Sequence, residues 1–328
     1  MARQLGFTLL EMLLVVALVG IASFYMFGSL ATSNTAYVVV DQVSESQQGM
    51  RAVAQLMERD LRHAGKMVPL PAALCANDNQ GSPDVLYVSD SDALNPGDDF
   101  LPYEAAMVQT AVDNLNATGS TTTLVLDSLI LEPAPPTRAT YDVSGDGTND
   151  SDFQVGGGAI VADLDSPARG VTCGRIEDVN LGATSITIRT VSNVLDAASG
   201  SVRLVAVPAH EYRVANADEL QRNGDLMVKG VEDLQLAYFL DANDDDVIDP
   251  GEMHGSGAGT NANFDSLGAD MRRLREVRIN LVVRSRAEDR DFSGQPQATE
   301  NRTAGAGDGY RRRVYTSMVR PRNMVRRF

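Results

Sequence analysis

An acidic loop in the last third of the chain places oxygen atoms at the spacing that a calcium ion requires. Ca²⁺ takes six to eight hard oxygen ligands, supplied in an EF-hand by positions 1, 3, 5, 7, 9 and 12 of a loop. The matching residues are Asp241, Asn243, Asp245, Val247 (through its carbonyl), Asp249 and Glu252. Asp246 stands where an EF-hand has glycine, and the flanks have strand patterns. We expect Ca²⁺ here; the alternative is a solvated acidic turn.

A second loop has acidic residues at alternate positions and Gly147 at position 6 of the same frame. Phe153 occupies position 12, where an EF-hand has glutamate. The candidate ligands are Asp142, Ser144, Asp146, Thr148 and Asp150. The pattern resembles the Asp- and Gly-rich calcium loops of extracellular proteins, and an ordinary flexible loop is an equal alternative.

The remaining polar residues form no catalytic pattern. The three histidines, His63, His210 and His254, lie too far apart in the sequence for a metal-ligand motif. The sequence contains no Gly-x-Ser-x-Gly element, no phosphate-binding loop and no dinucleotide fingerprint. We therefore predict that the protein is not an enzyme.

The chain has two cysteines, Cys75 and Cys173. In an exported protein an even pair indicates one disulfide, which here would close a loop of about 100 residues. The alternative is two unpaired thiols. We predict the disulfide, because the N-terminus carries an export signal.

The N-terminal segment has the features of a membrane-spanning helix. A short segment with Arg3 precedes residues 7–31, which are apolar apart from Glu11 and the small polar residues. About 20 apolar residues span a bilayer as a helix. A secretory signal would have its small-residue cleavage site after the apolar region, whereas here Gly6 precedes it. A plain anchor does not account for Glu11, because a carboxylate inside a bilayer is costly and usually functional.

The stretch Gly6-Phe7-Thr8-Leu9-Leu10-Glu11 resembles the processing motif of type IV prepilins. The resemblance implies that a prepilin peptidase cuts between Gly6 and Phe7 and that Phe7 is then N-methylated. It also implies that Glu11 pairs with the N-terminal amine of a neighbouring subunit during assembly. That pairing is physically sound, because a buried charge needs a partner of opposite sign.

The apolar helix continues beyond the membrane. Met50, Val53, Met57 and Leu61 form one stripe at helical spacing, and Arg51, Glu58, Arg59 and Arg62 are among the residues predicted on a solvated face. Gly65 and the prolines after it end the helix. The predicted divisions are a leader (1–6), a transmembrane and assembly helix (7–31), its amphipathic continuation (32–65) and a periplasmic β-rich domain (66–328).

Beyond the helix, short β-like runs alternate with Gly-, Asn-, Asp- and Pro-rich segments. The predicted strands are 84–89, 121–132, 170–177, 184–191, 201–214, 225–240, 274–286 and 310–320. Strands in series without intervening helices indicate an antiparallel sheet. The predicted fold is α+β and type IV pilin-like, with a long N-terminal helix packed on an antiparallel sheet domain that has long loops, among them 134–158.

The helix end at 57–65 and the segments 230–236, 277–285 and 313–323 resemble the PilW-like minor pilins. They are less similar to the J-type minor pseudopilins of type II secretion, which remain the alternative. The PilW resemblance implies a low-abundance subunit that starts in the inner membrane, primes the filament with other minor pilins and the major pilin, and stays at the pilus tip. There it could carry a PilY-type adhesin.

The charges are unevenly distributed along the chain. The formal net charge is −16, yet residues 272–328 contain 15 of the 28 basic residues and only 6 acidic ones. A basic C-terminal segment could bind DNA or another polyanion, because clustered arginines raise the local potential. The alternative is that these strands fold against the acidic body and the charges compensate. We favour compensation, and nucleic acid is not an expected partner.

Overall fold

The computed structural model shows one long helix followed by two antiparallel sheets. It describes residues 8–90, 93, 105–109, 119–131, 151–165, 171–190, 203–256, 271–289 and 292–324. Within the helix, it describes the backbone alone at 31–32, 35–36, 38–43 and 45–47. The predicted α+β arrangement of a long helix on antiparallel sheet is confirmed.

Helix α1 spans Leu9–His63, and its buried side chains, among those described, begin at Met50. Met50, Val53, Met57 and Leu61 are buried against the sheets, since residues three and four apart share one face of a helix. The chain leaves the helical conformation at Ala64.

The C-terminal segment of the chain holds this helix end. The N–H of Arg322 donates to the carbonyl of Arg62 over 3.1 Å, and the amide of Asn323 donates to the carbonyl of His63 over 3.1 Å. These contacts satisfy carbonyls that a helix end leaves without an intrahelical partner.

Fourteen strands lie within the described residues. They are β1 (Leu74–Asn77), β2 (Val85–Val88), β3 (Ala106–Met107), β4 (Thr121–Val125), β5 (Gly158–Asp163), β6 (Val171–Asn180), β7 (Ser185–Thr190), β8 (Leu204–Ala215), β9 (Glu219–Arg222), β10 (Asp225–Lys229), β11 (Val231–Leu240), β12 (Met253–His254), β13 (Leu274–Arg284) and β14 (Arg312–Val319). The larger sheet runs β1-β2-β8-β5-β6-β7-β4, with β3 and β9 also on β8 and with β10 on β9. The smaller sheet runs β12-β11-β13-β14, and β13 and β14 pack on α1.

The larger sheet curls until its first strand lies against its fifth. Strands β1 and β6 are four places apart, which in a flat sheet means about 19 Å at the usual spacing of about 4.8 Å. The Cα atoms of Cys75 in β1 and Cys173 in β6 are nevertheless 6.1 Å apart, and a disulfide joins the two residues. The predicted disulfide is confirmed, and it closes the curled sheet.

The strand pattern differs from the prediction in one divided run and in five strands, β1, β3, β5, β9 and β12, that are absent from the prediction. The predicted run 225–240 is two strands, because Gly230 adopts a φ of 86° that ends β10 and turns the chain into β11. Strand β5 is absent from the prediction, although all of its residues are buried and it pairs with both β6 and β8.

Candidate functional site

The carboxylate of Glu11 folds back onto the start of α1. Its Oε2 accepts hydrogen bonds from the N–H of Thr8 over 2.9 Å and from the Thr8 hydroxyl over 3.0 Å. The Thr8 hydroxyl oxygen accepts in turn from the N–H of Glu11 over 3.3 Å. This is a capping box, in which two side chains satisfy backbone donors that the first turn leaves open. The capping box is absent from the prediction, although Thr8 and Glu11 have its spacing.

Glu11 lies near the start of an apolar segment long enough to cross a membrane. Leu9–Leu30 has 22 residues, long and apolar enough to cross a membrane, and none of them is buried within the protein. Glu11 is the one residue of that segment with a charged side chain. The processing residues Gly6 and Phe7 lie outside the described residues.

A buried ion pair joins the C-terminal half of α1 to the larger sheet. The Asp60 side chain is fully buried, and its Oδ2 accepts from the Tyr212 hydroxyl over 2.6 Å and from Nη2 of Arg222 over 2.8 Å. Its Oδ1 accepts from the Arg59 guanidinium over 3.1 Å. Burial acts to raise the pKa of Asp60, but the Tyr212 hydrogen bond and the Arg222 charge outweigh it and hold the pKa below its usual value. Asp60 is therefore an anionic anchor between helix and sheet.

Glu58 is also an anchor rather than part of a solvated face. Its side chain is only 14% exposed, and Oε1 accepts from the Tyr315 hydroxyl over 2.8 Å and from the Ser317 hydroxyl over 2.6 Å. The prediction that Glu58 points to solvent is wrong, because β14 lies across this flank of the helix. Arg59 and Arg62 are exposed, as predicted for that face.

The acidic loop is organised around the carboxylates at its two ends. Asp241 accepts hydrogen bonds from the N–H groups of Asp245 and Asp246, each over 3.1 Å. Glu252 accepts from the N–H groups of Ala242 over 2.7 Å and Asp249 over 3.0 Å. Asp246 has a φ of 62°, so the residue at the glycine position of the frame takes the left-handed conformation that glycine usually supplies.

Two arginines offset part of the negative charge of this loop. Arg275 donates to Asp241 over 2.9 Å, and Arg273 lies 3.6 Å from Asp244 and donates to the Ala242 carbonyl. Burial acts to raise the pKa of Asp241, but the hydrogen bonds from Arg275 and the loop backbone outweigh it and hold the pKa below its usual value.

The predicted ligands are not assembled around a common centre in this conformation. Across the described residues, no three His, Cys, Asp or Glu side chains are grouped so that they could hold a metal ion. Calcium in the loop 241–252 stays a prediction. The second candidate loop, with Asp142, Ser144, Asp146, Thr148 and Asp150, lies outside the described residues.

If Ca²⁺ binds the loop 241–252, we expect it to raise the thermal unfolding midpoint of the detergent-solubilised full chain. A ligand that binds only the folded state at a hundred times its Kd stabilises by about 2.7 kcal/mol. Circular dichroism with CaCl₂, with MgCl₂ and with chelator measures the shift. Asp245→Asn should abolish it, while Arg275→Gln, which frees Asp241, should enlarge it. Identical midpoints with Ca²⁺ and with chelator would contradict the prediction.

Most of the described arginines in the basic C-terminal region pair with acids of the same domain. The pairs are Arg278 with Glu300 at 2.6 Å, Arg284 with Asp218 at 3.4 Å, Arg302 with Asp233 at 2.6 Å, Arg311 with Asp289 at 2.8 Å, Arg312 with Glu232 at 2.6 Å, and Arg320 with Glu276. The charges thus compensate within the fold.

Two protein families match the chain at its two ends. Residues 196–323 match the family described as type IV pilus-assembly protein W, and residues 1–26 match the prokaryotic N-terminal methylation motif. A search of curated proteins finds no match. Among solved structures, a type IV-like pilin from Thermus thermophilus is 15% identical and aligns over 53% of this chain and 89% of that chain, with a TM-score of 0.23. That score is too low to support a structural argument.

Proposed function

We propose that this chain, which is a PilW-like type IV pilin, is a minor subunit that primes filament assembly and stays at the pilus tip. A prepilin peptidase would remove residues 1–6 and methylate Phe7. Residues 7–31 would then anchor the subunit in the inner membrane, with the β domain in the periplasm. At the tip it would contact other minor pilins, the major pilin and a PilY-type adhesin.

The observation that carries this proposal is Glu11, the one charged side chain within Leu9–Leu30 of a chain that has the methylation motif. A carboxylate in lipid is costly unless it is paired. The N-terminal ammonium of a neighbouring subunit neutralises it only when the two helices are in register. In the single chain, Thr8 supplies both donors to the carboxylate instead. Assembly would therefore replace the capping contact with an intermolecular ion pair.

We expect Glu11→Ala to reduce the amount of this subunit in sheared pili by about tenfold or more, the factor that corresponds to 1.4 kcal/mol. The variant should still be processed and inserted in the membrane, because the substitution removes the one charged side chain from the apolar segment. Quantitative immunoblots of the pilus and membrane fractions measure the distribution. Thr8→Val is the matched control: it removes the capping hydroxyl, at a cost of about 1 kcal/mol, but keeps the carboxylate. It should enter pili at close to the wild-type level.

Two results would contradict the proposal. Normal incorporation of Glu11→Ala into pili would show that the carboxylate has no part in assembly. A deletion strain that keeps its pili but loses secretion of exported enzymes would instead favour the role of a J-type pseudopilin.

A further inference from the structure

Strand β14 is an unprotected sheet edge. It pairs with β13 over Arg312–Val319 without a register shift, and no described strand pairs with its other side. Edge strands in native proteins are usually short, bulged or covered, because their free backbone groups can pair with another chain. A continuous edge of eight residues is therefore unusual.

The other edges within the described residues are protected. Strands β3 and β12 have two residues each, β1 is largely buried, and β10 contains a register shift and packs against α1. Strand β4 has five residues, and its carbonyl at Val125 accepts a hydrogen bond from the N–H of Gln109. Among these edges, β14 alone is long, regular and open.

The backbone groups that β14 offers can be assigned from its register. The N–H of Ser285 donates to the carbonyl of Arg311 over 2.8 Å, which makes these two a hydrogen-bonded pair next to the ladder. Because hydrogen-bonded and non-hydrogen-bonded pairs alternate in an antiparallel ladder, the N–H and C=O groups of Val314, Thr316 and Met318 point away from β13. These are the groups that a further strand would bind.

The side chains of β14 indicate the chemistry of that strand. Val314 is 42% exposed and Met318 is 46% exposed on the same face, which gives an added strand apolar contacts. Arg313 within the strand and Arg322 just after it are exposed, and neither forms an ion pair with another described residue. The edge is therefore apolar on one face and positively charged.

We propose that β14 binds an extended, net acidic segment of another subunit of the same filament, which adds a fifth strand beside β14. Backbone hydrogen bonds would supply the affinity, and the acidic side chains facing Arg313 would supply the specificity. A second copy of β14 is disfavoured as the partner, because it would bring the unpaired arginines together. The inference rests on the proposed role in filament assembly.

Photocross-linking of the full chain in piliated cells tests this proposal. The probe residue, p-benzoylphenylalanine, replaces Met318 in one strain and Thr123, on the protected β4 edge, in a control strain. We expect the Met318 position, and not the Thr123 position, to cross-link to an acidic segment of a protein with the same N-terminal methylation motif. A capture of unrelated proteins, or no product from Met318, would overturn the proposal.

Backbone variants separate strand addition from ordinary surface contact. Val314→Pro removes an outward N–H that β13 does not use, whereas Val314→Thr changes the side chain and keeps that N–H. We expect Val314→Pro to lower the yield of the cross-linked product from the probe at Met318 by about tenfold, which corresponds to the loss of about one hydrogen bond. Val314→Thr should change that yield little. Equal product from both variants would overturn strand addition.

A charge variant tests the same surface if the proline variant does not fold. Arg313→Glu keeps every backbone group and should also lower the yield of the Met318 product, because an acidic partner would be repelled. An unchanged yield would contradict an acidic partner. If Glu11→Ala lowers the amount of this subunit in pili while the β14 variants leave the Met318 cross-link unchanged, this inference fails and the proposed function stands. If Glu11→Ala also has no effect, both fail.

Discussion

Asp60→Ala is expected to lower the free energy of unfolding by about 3 kcal/mol, the low end of the cost of breaking a buried ion pair. The Asp60 side chain is fully buried, and its removal leaves the Tyr212 hydroxyl and the Arg222 guanidinium without their acceptor. The low end of that range applies because the Arg222 side chain is 20% exposed and can recover some hydration. A loss of this size corresponds to about 8 °C in the unfolding midpoint.

Arg59→Ala is the matched control for Asp60→Ala. Arg59 binds the same carboxylate but is 50% exposed, so its removal should cost less than about 1 kcal/mol. The double variant Asp60→Ala with Arg222→Leu should lose less unfolding free energy than the sum of the losses of the two single variants. The reason is that the double variant leaves no unpaired charge. Circular dichroism is the appropriate probe, because the chain has no tryptophan. A loss for Asp60→Ala as small as that for Arg59→Ala would contradict the assignment of Asp60 as the anchor.

The same pair makes a prediction about pH. Because the pKa of Asp60 is held below its usual value in the folded state, its ionised form contributes stability at all pH values above the unfolded pKa. That contribution is lost as the pH falls through the lower, folded-state pKa. The variant Asp60→Asn has no ionisable group at this position. The difference in stability between wild type and Asp60→Asn should therefore be constant near neutrality and should shrink below about pH 4.

The features that the sequence predicts well are those encoded by local pattern. The apolar run with its single acid at Glu11 and the prolines that follow the helix are all readable without tertiary information. Strand β13 is predicted as 274–286 and observed as Leu274–Arg284, because polar and apolar residues alternate in its sequence over 278–281.

The features that the sequence does not reveal depend on contacts between distant segments. Asp60 and Glu58 lie at opposite edges of the buried stripe of the helix, and their partners in β8, β9 and β14 are more than 150 residues away. No local pattern distinguishes such acids from solvated ones. Their burial follows from sheet strands that cover both flanks of the helix.

The sequence pattern does not predict strand β5, for a related reason. Its sequence, GAIVAD, follows a glycine run and does not alternate between polar and apolar residues. A strand between two neighbours with both faces covered has no solvent side, so the period of two disappears. In the acidic loop, the ion pairs of Arg273 with Asp244 and of Arg275 with Asp241 are likewise contacts that the spacing of the loop does not reveal.

Removal of the disulfide is expected to have the largest effect on stability. The loop between Cys75 and Cys173 spans 98 residues, and the loop-entropy model gives up to about 4.7 kcal/mol for a cross-link of about this length. The bond also fixes β1 against β6, two strands that the hydrogen-bond ladder places four positions apart. The double variant Cys75→Ala with Cys173→Ala should therefore lose about 3–4 kcal/mol of unfolding free energy.

Reductant provides the internal control for this prediction, because it breaks the cross-link but keeps both cysteine side chains. Wild type with reductant should unfold at nearly the midpoint of the double variant, and the double variant itself should not respond to reductant. Both cysteines are buried, so reduction requires the curled sheet to open first and should be slow under native conditions. If the double variant unfolds at the wild-type temperature, the hydrogen-bond ladder alone holds the curl and the disulfide adds nothing to it.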